Sequence, residues 1–290
     1  MTGANLTEMV QSRAKNYPAP KKRTYLGIAP DDVAAIALEA GVYGYEVEIA
    51  ALKNGVWPQR YVRNTDSIST GEQIALLKAH VVVVGLGGLG GLLTALLARM
   101  GIGRLTLCDF DSFDATNLNR QMLSGMAVLG VSKAQTALEY VREVNPSVNA
   151  KIYEKAFDET SESLTLLQNK TICADCLDNL KTRMLLARAC QKAGIPLVSA
   201  SIGGFCGQLT VVHPGGEGLE AVYGSLDEGC DSEDSKGCEV DMGTPGPTAA
   251  AVSSLQALEV AKVIMRKNTA LKNSVVLFDF SGFDMQVIDL

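Results

Sequence analysis

Short apolar runs alternate along the 290-residue chain with longer amphipathic stretches, the pattern of strands alternating with helices. The clearest instance is 81–91, VVVVGLGGLGG, where four valines run into a glycine cluster and then into LLTALLARM. Consecutive β-branched residues predict a strand buried on both faces, because such side chains suit a pleat with no solvated side. The spacing beyond the glycines predicts a helix, so the unit is strand, tight turn, helix. RLTLCDF (104–110), AKIYEKAF (150–157), KTICADC (170–176), IPLVSAS (195–201) and GQLTVV (207–212) predict five further strands. Helical periodicity marks GEQIALLKA (71–79), AQTALEYVREV, LKTRMLLARACQKAG and 247–266, and two strands, SVVLFDF and MQVIDL, end the pattern. Residues 1–58 read differently. A connector, YPAPKKRTY, leads to a helix start at Pro30-Asp31-Asp32 with its stop at Gly41, and a second periodic segment, YEVEIAALK, runs to Asn54-Gly55. The expected division is therefore a small helical appendage over 1–58 and a larger body over 59–290.

The glycines add chemistry to the pattern. Gly85, Gly87 and Gly90 stand in G-x-G-x-x-G spacing, with Gly88 and Gly91 extra. In a strand–turn–helix unit this spacing lets a phosphate approach bare backbone at a helix N-terminus. The uncharged run Val81–Ala98 also has the length of a membrane span, but its glycines and the charged sequence on either side predict a buried unit and no membrane contact. Asp109 ends the second strand, 24 residues past Gly85, where a carboxylate can take ribose hydroxyls. A nicotinamide-dependent oxidoreductase would read the same to this point. The polar loop DFDSFDATNLNRQ (109–121) and Gly130-Val-Ser-Lys133 then place Asn117, Arg120 and Lys133 near the glycine turn. A dinucleotide's two phosphates are largely satisfied by helix amides, so two further cations suit a triphosphate. Asp178 and Asn179 follow the fourth strand on the edge where open α/β sheets bind ligands, and Asp178 is a candidate magnesium ligand. The two histidines, His80 and His213, have no evident catalytic partner.

Composition narrows the classes further. A formal net charge of −6 and a pI near 5.1 argue against a nucleic-acid surface, and the basic residues of the first 58 positions are balanced by acids. The seven cysteines lie mostly in apolar segments and no secretory pattern opens the chain, which predicts a reducing cytoplasm. Cys173 and Cys176 form a C-x-x-C, but residues three apart on one strand face opposite ways and cannot chelate together. The connection 213–246 is long and acidic and carries Cys230 and Cys238.

The ordered set GLGGLGG, LTLCDFD, TNLNRQ, G-x-x-K, DCLDN, PLVSASIGG, GQLTV and SSLQALEVAK resembles the MoeB/ThiF/HesA group, bacterial relatives of ubiquitin-activating enzymes. The likeness covers about residues 60–290. With the residue reading it predicts an α/β fold: a doubly wound Rossmann-like sheet, mostly parallel, with antiparallel C-terminal strands and the small helical N-terminal appendage. The resemblance implies ATP- and magnesium-dependent adenylation of the C-terminal glycine carboxylate of a small β-grasp sulfur carrier of the MoaD or ThiS type. An adenylating enzyme acting on a tRNA-borne carboxyl is an alternative that the acidic balance fits poorly. Carried over residue by residue, the glycine turn and Gly88 lie against the phosphates and Asp109 takes the ribose. Asn117, Arg120 and Lys133 line the triphosphate, and Asp178 with Asn179 lies at the magnesium end. Arg63, in RYVRN, matches the arginine that family homodimers supply across the subunit interface. Cys238 matches a loop cysteine that in some members bonds covalently to the carrier. Many members hold zinc through two C-x-x-C pairs; GEGLEAVYG and the closing QVIDL lack them, so no zinc site is expected.

Overall fold

The computed structural model describes residues 3–19, 23–224, 242–267, 271 and 274–290. Helix α1 (Gly3–Arg13) is followed by a hairpin, β1 (Lys15–Ala19) and β2 (Arg23–Ile28). The sequence pattern predicts a connector here, and the structure corrects it to a hairpin. Its prolines suggested irregular chain, but Pro18 lies on β1, the edge strand, where a missing N–H costs no ladder bond. Tyr17 and Tyr25 pair directly across the hairpin with ring centroids 5.8 Å apart. Helices α2 (Pro30–Ala40) and α3 (Gly44–Lys53) follow as expected, α2 with proline in its first turn and Gly41 as its left-handed stop at φ 67°. They bury Val33, Ile36, Val47 and Ala51 against Val10, Ile28 and Val56. The two-residue strand β3 (Trp57–Pro58) pairs parallel with β2.

RYVRN lies in a 3-10 turn, Gln59–Asn64, ahead of α4 (Thr70–Lys78). The body then alternates as the apolar runs predict: β4 (His80–Val84), α5 (Gly90–Met100), β5 (Arg104–Cys108), α6 (Lys133–Val144), β6 (Asn149–Tyr153), the short α7 (Ser161–Thr165), β7 (Ile172–Asp175), α8 (Leu180–Ala193), β8 (Leu197–Gly203), β9 (Cys206–Val212) and the short α9 (Glu220–Tyr223). The long helix α10 (Gly246–Ile264) and the strands β10 (Ser274–Asp279) and β11 (Asp284–Asp289) complete it. The eight-stranded sheet runs β6-β5-β4-β7-β8-β9-β10-β11. Pairing is parallel from β6 to β8 and antiparallel from β8 to β11. This is the doubly wound sheet with antiparallel C-terminal strands that the sequence predicts.

One face is covered by α5, α6 and α10, through Leu93, Leu97, Ala137, Val252 and Val260; the other is covered by α8, through Met184, Leu186 and Cys190. Alternation along β4 sends Val81 and Val83 into the first core and Val82 and Val84 into the second, which is why the valine run is unbroken. On the α8 side Leu219 and Tyr223 reach β9 near Val212 and Gln208, and β11 is exposed along its whole length. Among the described residues no helix is long and apolar enough to cross a membrane.

Candidate functional site

Strand order reverses between β4 and β7, so a crevice opens outside their carboxyl ends. Both loops bordering it come from the motifs marked in the sequence. Gly85 turns the chain at φ 89°, and a Cβ there would sit 2.6 Å from the Cys176 carbonyl oxygen; one on Gly90 would sit 1.8 Å from the Gly85 oxygen. Those two glycines close the turn onto β7 and bring α5 down onto it. Gly87 and Gly88 are different, for a Cβ on either would meet only ordinary contacts: the Gln121 amide at 3.5 Å, or Ala249 and Arg120 at 3.6 and 3.7 Å. Gly88 borders a cavity of about 440 Å³ whose lining also includes Leu92, Leu118, Arg120, Gln121 and the first turn of α10. Ser253 on α10 donates to the Leu89 carbonyl (2.9 Å), which fastens that helix to the glycine turn. The N-termini of α5 and α10 thus converge on one cavity with Arg120, an arrangement that favours an oxyanion.

The predicted site residues are placed as follows. Asp109 is nine-tenths buried; its Oδ2 accepts the Leu86 N–H (2.6 Å) and its Oδ1 the Asp111 N–H (2.9 Å). Burial raises its carboxyl above the ordinary range, against the pull of those two hydrogen bonds and of Lys133. Lys133 opens α6, is buried, and its Nζ lies 2.9 Å from the exposed Asp111 carboxylate. Arg120 holds the Thr116 carbonyl (2.9 Å) and Asn119 Oδ1 (3.0 Å), which aims its stem past Gly88. The Asn117 side chain is spent within its own turn, where its Oδ1 accepts the Asp114 N–H (3.2 Å). Asn179 caps α8 by accepting the Thr182 N–H (3.0 Å). Asp178 is exposed just beyond β7, its carboxylate turned out of the core.

Arg63 is not brought to this cavity. It is exposed on the 3-10 turn, whose Tyr61 packs against Gly101 at the far end of α5. An 11-residue helix, roughly 16 Å long, separates that end from the glycine turn. Its neighbour Arg60 turns inward to the Val144 carbonyl (2.9 Å). Cys173 packs in the α8-side core, while Cys176 lies against the opposite one and donates to Gln256 (3.3 Å), so the C-x-x-C pair diverges. Burial drives both thiols well above their ordinary range. His80, hydrogen-bonded to Thr106 (2.9 Å) and lowered to about 4 by burial and neighbouring cations, opens β4. His213 follows the end of β9, so both histidines lie on the sheet edge away from the crevice. Cys230 and Cys238 fall outside the described residues.

Sequence reasoning missed three contributors. Gln121 lays its amide beside Gly87 and is buried, with no partner for its Oε1 among the described residues, so the turn offers a buried polar group to a ligand. Its place after Arg120 was the available signal. Gly246 and Pro247 arrive from 125 positions beyond the loop they face, and a Cβ on Gly246 would lie 2.6 Å from the Asn119 oxygen. Nothing local to either segment announces that meeting. A second cavity, about 320 Å³, lies at the crevice edge of β8–β11, with Ser201, Gln208, Leu277, Met242 and Gln286 among its lining.

Three comparisons bear on this geometry. Residues 61–290 match the ThiF family. The mouse adenylyltransferase and sulfurtransferase MOCS3 is 40% identical over 211 residues, 72% of this chain and 45% of that protein. The molybdopterin-synthase adenylyltransferase of Salmonella typhimurium is 32% identical over 212 residues, 71% of this chain and 81% of that one. The chain spans about half the length of the MOCS3 relatives it matches. A crystal structure of E. coli MccB with ATP superposes with a TM-score of 0.68 at 18% identity, covering 89% of this chain and 78% of that one, which shows a shared fold.

Proposed function

The chain belongs to the ThiF family, and from that premise we propose that it adenylates the C-terminal glycine carboxylate of a small β-grasp carrier protein, using ATP with magnesium and releasing pyrophosphate. The observation that carries the reading is the cavity beside the glycine turn: bare Gly88 backbone, two helix N-termini and Arg120 around one space. The names of the mouse and Salmonella typhimurium relatives, both adenylyltransferases, support it. A carboxylate is already a nucleophile at neutral pH, so attack on the α-phosphorus needs no general base. The carboxylate oxygen forms the new P–O bond as the bond to pyrophosphate breaks. The negative charge spread over the phosphoryl oxygens is what must be neutralised. In this reading Arg120 and Lys133 do that, Lys133 exchanging Asp111 for a phosphate, and Asp109 turns its remaining lone pairs to the ribose. Asn117 and Asn179 fix the loops that carry Arg120 and Asp178. Asp178 is an exposed hard carboxylate suited to magnesium, which supplies further charge neutralisation when bound. Arg63 serves the site of a second subunit. The groove of about 320 Å³ along β8–β11 takes the carrier's tail, since it lies on the same edge as Asp178.

The test is ATP–pyrophosphate exchange dependent on a carrier ending in Gly-Gly. Lys133→Ala and Arg120→Ala each remove one preorganised cation, which costs about 2.7–4 kcal/mol, a hundredfold or more in rate. Wild-type exchange in either variant refutes the assigned phosphate site. Tight NADH binding without ATP binding would return the chain to the nicotinamide reading.

A further inference from the structure

A buried ion pair lies directly beneath the loop that carries Asp178, and none of the roles above uses it. Asp175, the last residue of β7, has no exposed surface; Arg183, on the second turn of α8, is 4% exposed. Arg183 Nε donates to Asp175 Oδ2 at 3.0 Å and Ser199 Oγ donates to the same oxygen at 2.6 Å. The other oxygen, Oδ1, accepts the N–H of Leu177 at 3.0 Å, one residue before Asp178. The guanidinium also donates to the Ala200 carbonyl and, at 3.3 Å, to the Tyr223 hydroxyl, and it lies over the Tyr223 ring. The Tyr223 hydroxyl accepts a second bond, from Gln208 Nε2 at 3.0 Å, and Gln208 lines the open groove on the antiparallel strands. Gln256 of α10 clamps the Asp175 and Val198 carbonyls (2.8 and 3.0 Å), so the strand under the pair is fixed.

A lone buried ion pair is weak evidence for stability, because the desolvation of both charges offsets their attraction. An apolar pair of similar volume would fill the core equally well. What an apolar pair cannot do is fix the Leu177 N–H, or connect it through a chain of directional bonds to the groove.

We propose that Asp175 and Arg183 are positioning residues that hold the Cys176–Asn179 turn so that the Asp178 carboxylate faces the nucleotide, with Tyr223 and Gln208 extending the restraint to the groove. This rests on the adenylation reading for the identity of the nucleotide. The placement of the turn does not depend on it.

The test uses Arg183→Lys, which keeps the charge but loses the planar fork, and Tyr223→Phe, which removes one hydroxyl and leaves the ring over the guanidinium. Amide hydrogen exchange at Leu177 reads the turn directly. Titration with ATP, once with magnesium and once with EDTA, reads Asp178 separately from the rest of the nucleotide site. Arg183→Lys is expected to speed Leu177 exchange at least tenfold and to weaken magnesium–ATP binding about tenfold while metal-free ATP binding holds. Tyr223→Phe should move both in the same direction by less. Adding Arg183→Lys to Asp178→Asn should change nothing further, the signature of residues acting through one group. Unchanged Leu177 exchange in both variants overturns the proposal, as does equal weakening of ATP binding with and without magnesium. If Arg183→Lys does not fold, Tyr223→Phe carries both measurements. If the wild type binds no ATP, the adenylation reading fails while the exchange data still decide whether the pair holds the turn.

Discussion

Gly88 and Gly90 stand two positions apart in one motif, yet their surroundings set opposite tolerances. A Cβ on Gly90 would fall 1.8 Å from a backbone oxygen that cannot move without opening the turn. Gly90→Ala should therefore cost about 3 kcal/mol or more in urea denaturation. Gly88 has room, its would-be Cβ meeting Ala249 at 3.6 Å. Gly88→Ala should leave the denaturation midpoint within error or slightly raised, as the unfolded chain loses freedom, and weaken ATP binding in a titration. Comparable destabilisation by both would mean that Gly88 lacks that room, and unchanged ATP binding by Gly88→Ala would mean that its bare backbone does not meet the phosphate. The spacing of these glycines was legible in the sequence; their division of labour was not, because it depends on what the β7 and 115–121 segments bring against them. The same limit applies to Arg60 and Arg63, three apart in RYVRN, of which one turns into the protein and the other to solvent.

At the scale of the element, α3 shows how an ordinary amphipathic helix becomes a joint. Leu52 packs with Tyr61 and Leu77 from the body, and the same face carries Glu48, 1% exposed. Glu48 accepts from the Tyr61 hydroxyl (3.0 Å) and the Ser147 hydroxyl (3.1 Å), with Arg60 Nε at 3.7 Å. Burial raises its carboxyl to about 7, against the pull of Arg60 and the two hydroxyls. An unfolded glutamate titrates near 4.3, roughly, so between that pH and 7 the folded state holds a proton that the unfolded state has released. This residue's contribution is complete below the unfolded value and is lost as pH rises through the folded one, at up to about 1.4 kcal/mol per pH unit. In denaturation at pH 5, 6, 7 and 8, Glu48→Gln should gain on the wild type as pH rises; a constant difference would refute the raised carboxyl. Helical periodicity predicted α3 but not its charged interior face, and prolines hid the β1–β2 hairpin, whose tyrosine pairing needs both strands present.

For the whole molecule, the Tyr61–Gly101 contact lies a helix length from the glycine turn, and the proposal that Arg63 serves a second subunit's cavity requires a two-fold homodimer. Mixing Arg63→Ala subunits with Lys133→Ala subunits tests this. If the site is shared, a heterodimer concentrates both lesions in one site and spares the other, so exchange activity should return toward half of wild type. Verified heterodimers that stay inactive would rule out the shared site. What the sequence determined by itself is whatever depends on neighbours along the chain. The valine run made β4, the glycine spacing made the turn, Asp109 fell at the end of β5, and Gly41 stopped α2, because propensity, periodicity and capping act over a few residues. The tertiary structure decided what depends on strand order. It alone brought the first turn of α10 to Gly88, laid Gln121 beside Gly87 and joined Gln208 to Asp175 through Tyr223 and Arg183. Those meetings follow from the reversal at β4 and β7 and from the antiparallel return of β9. Pairings between distant segments are fixed by how a whole sheet buries both its faces, and no local period records them.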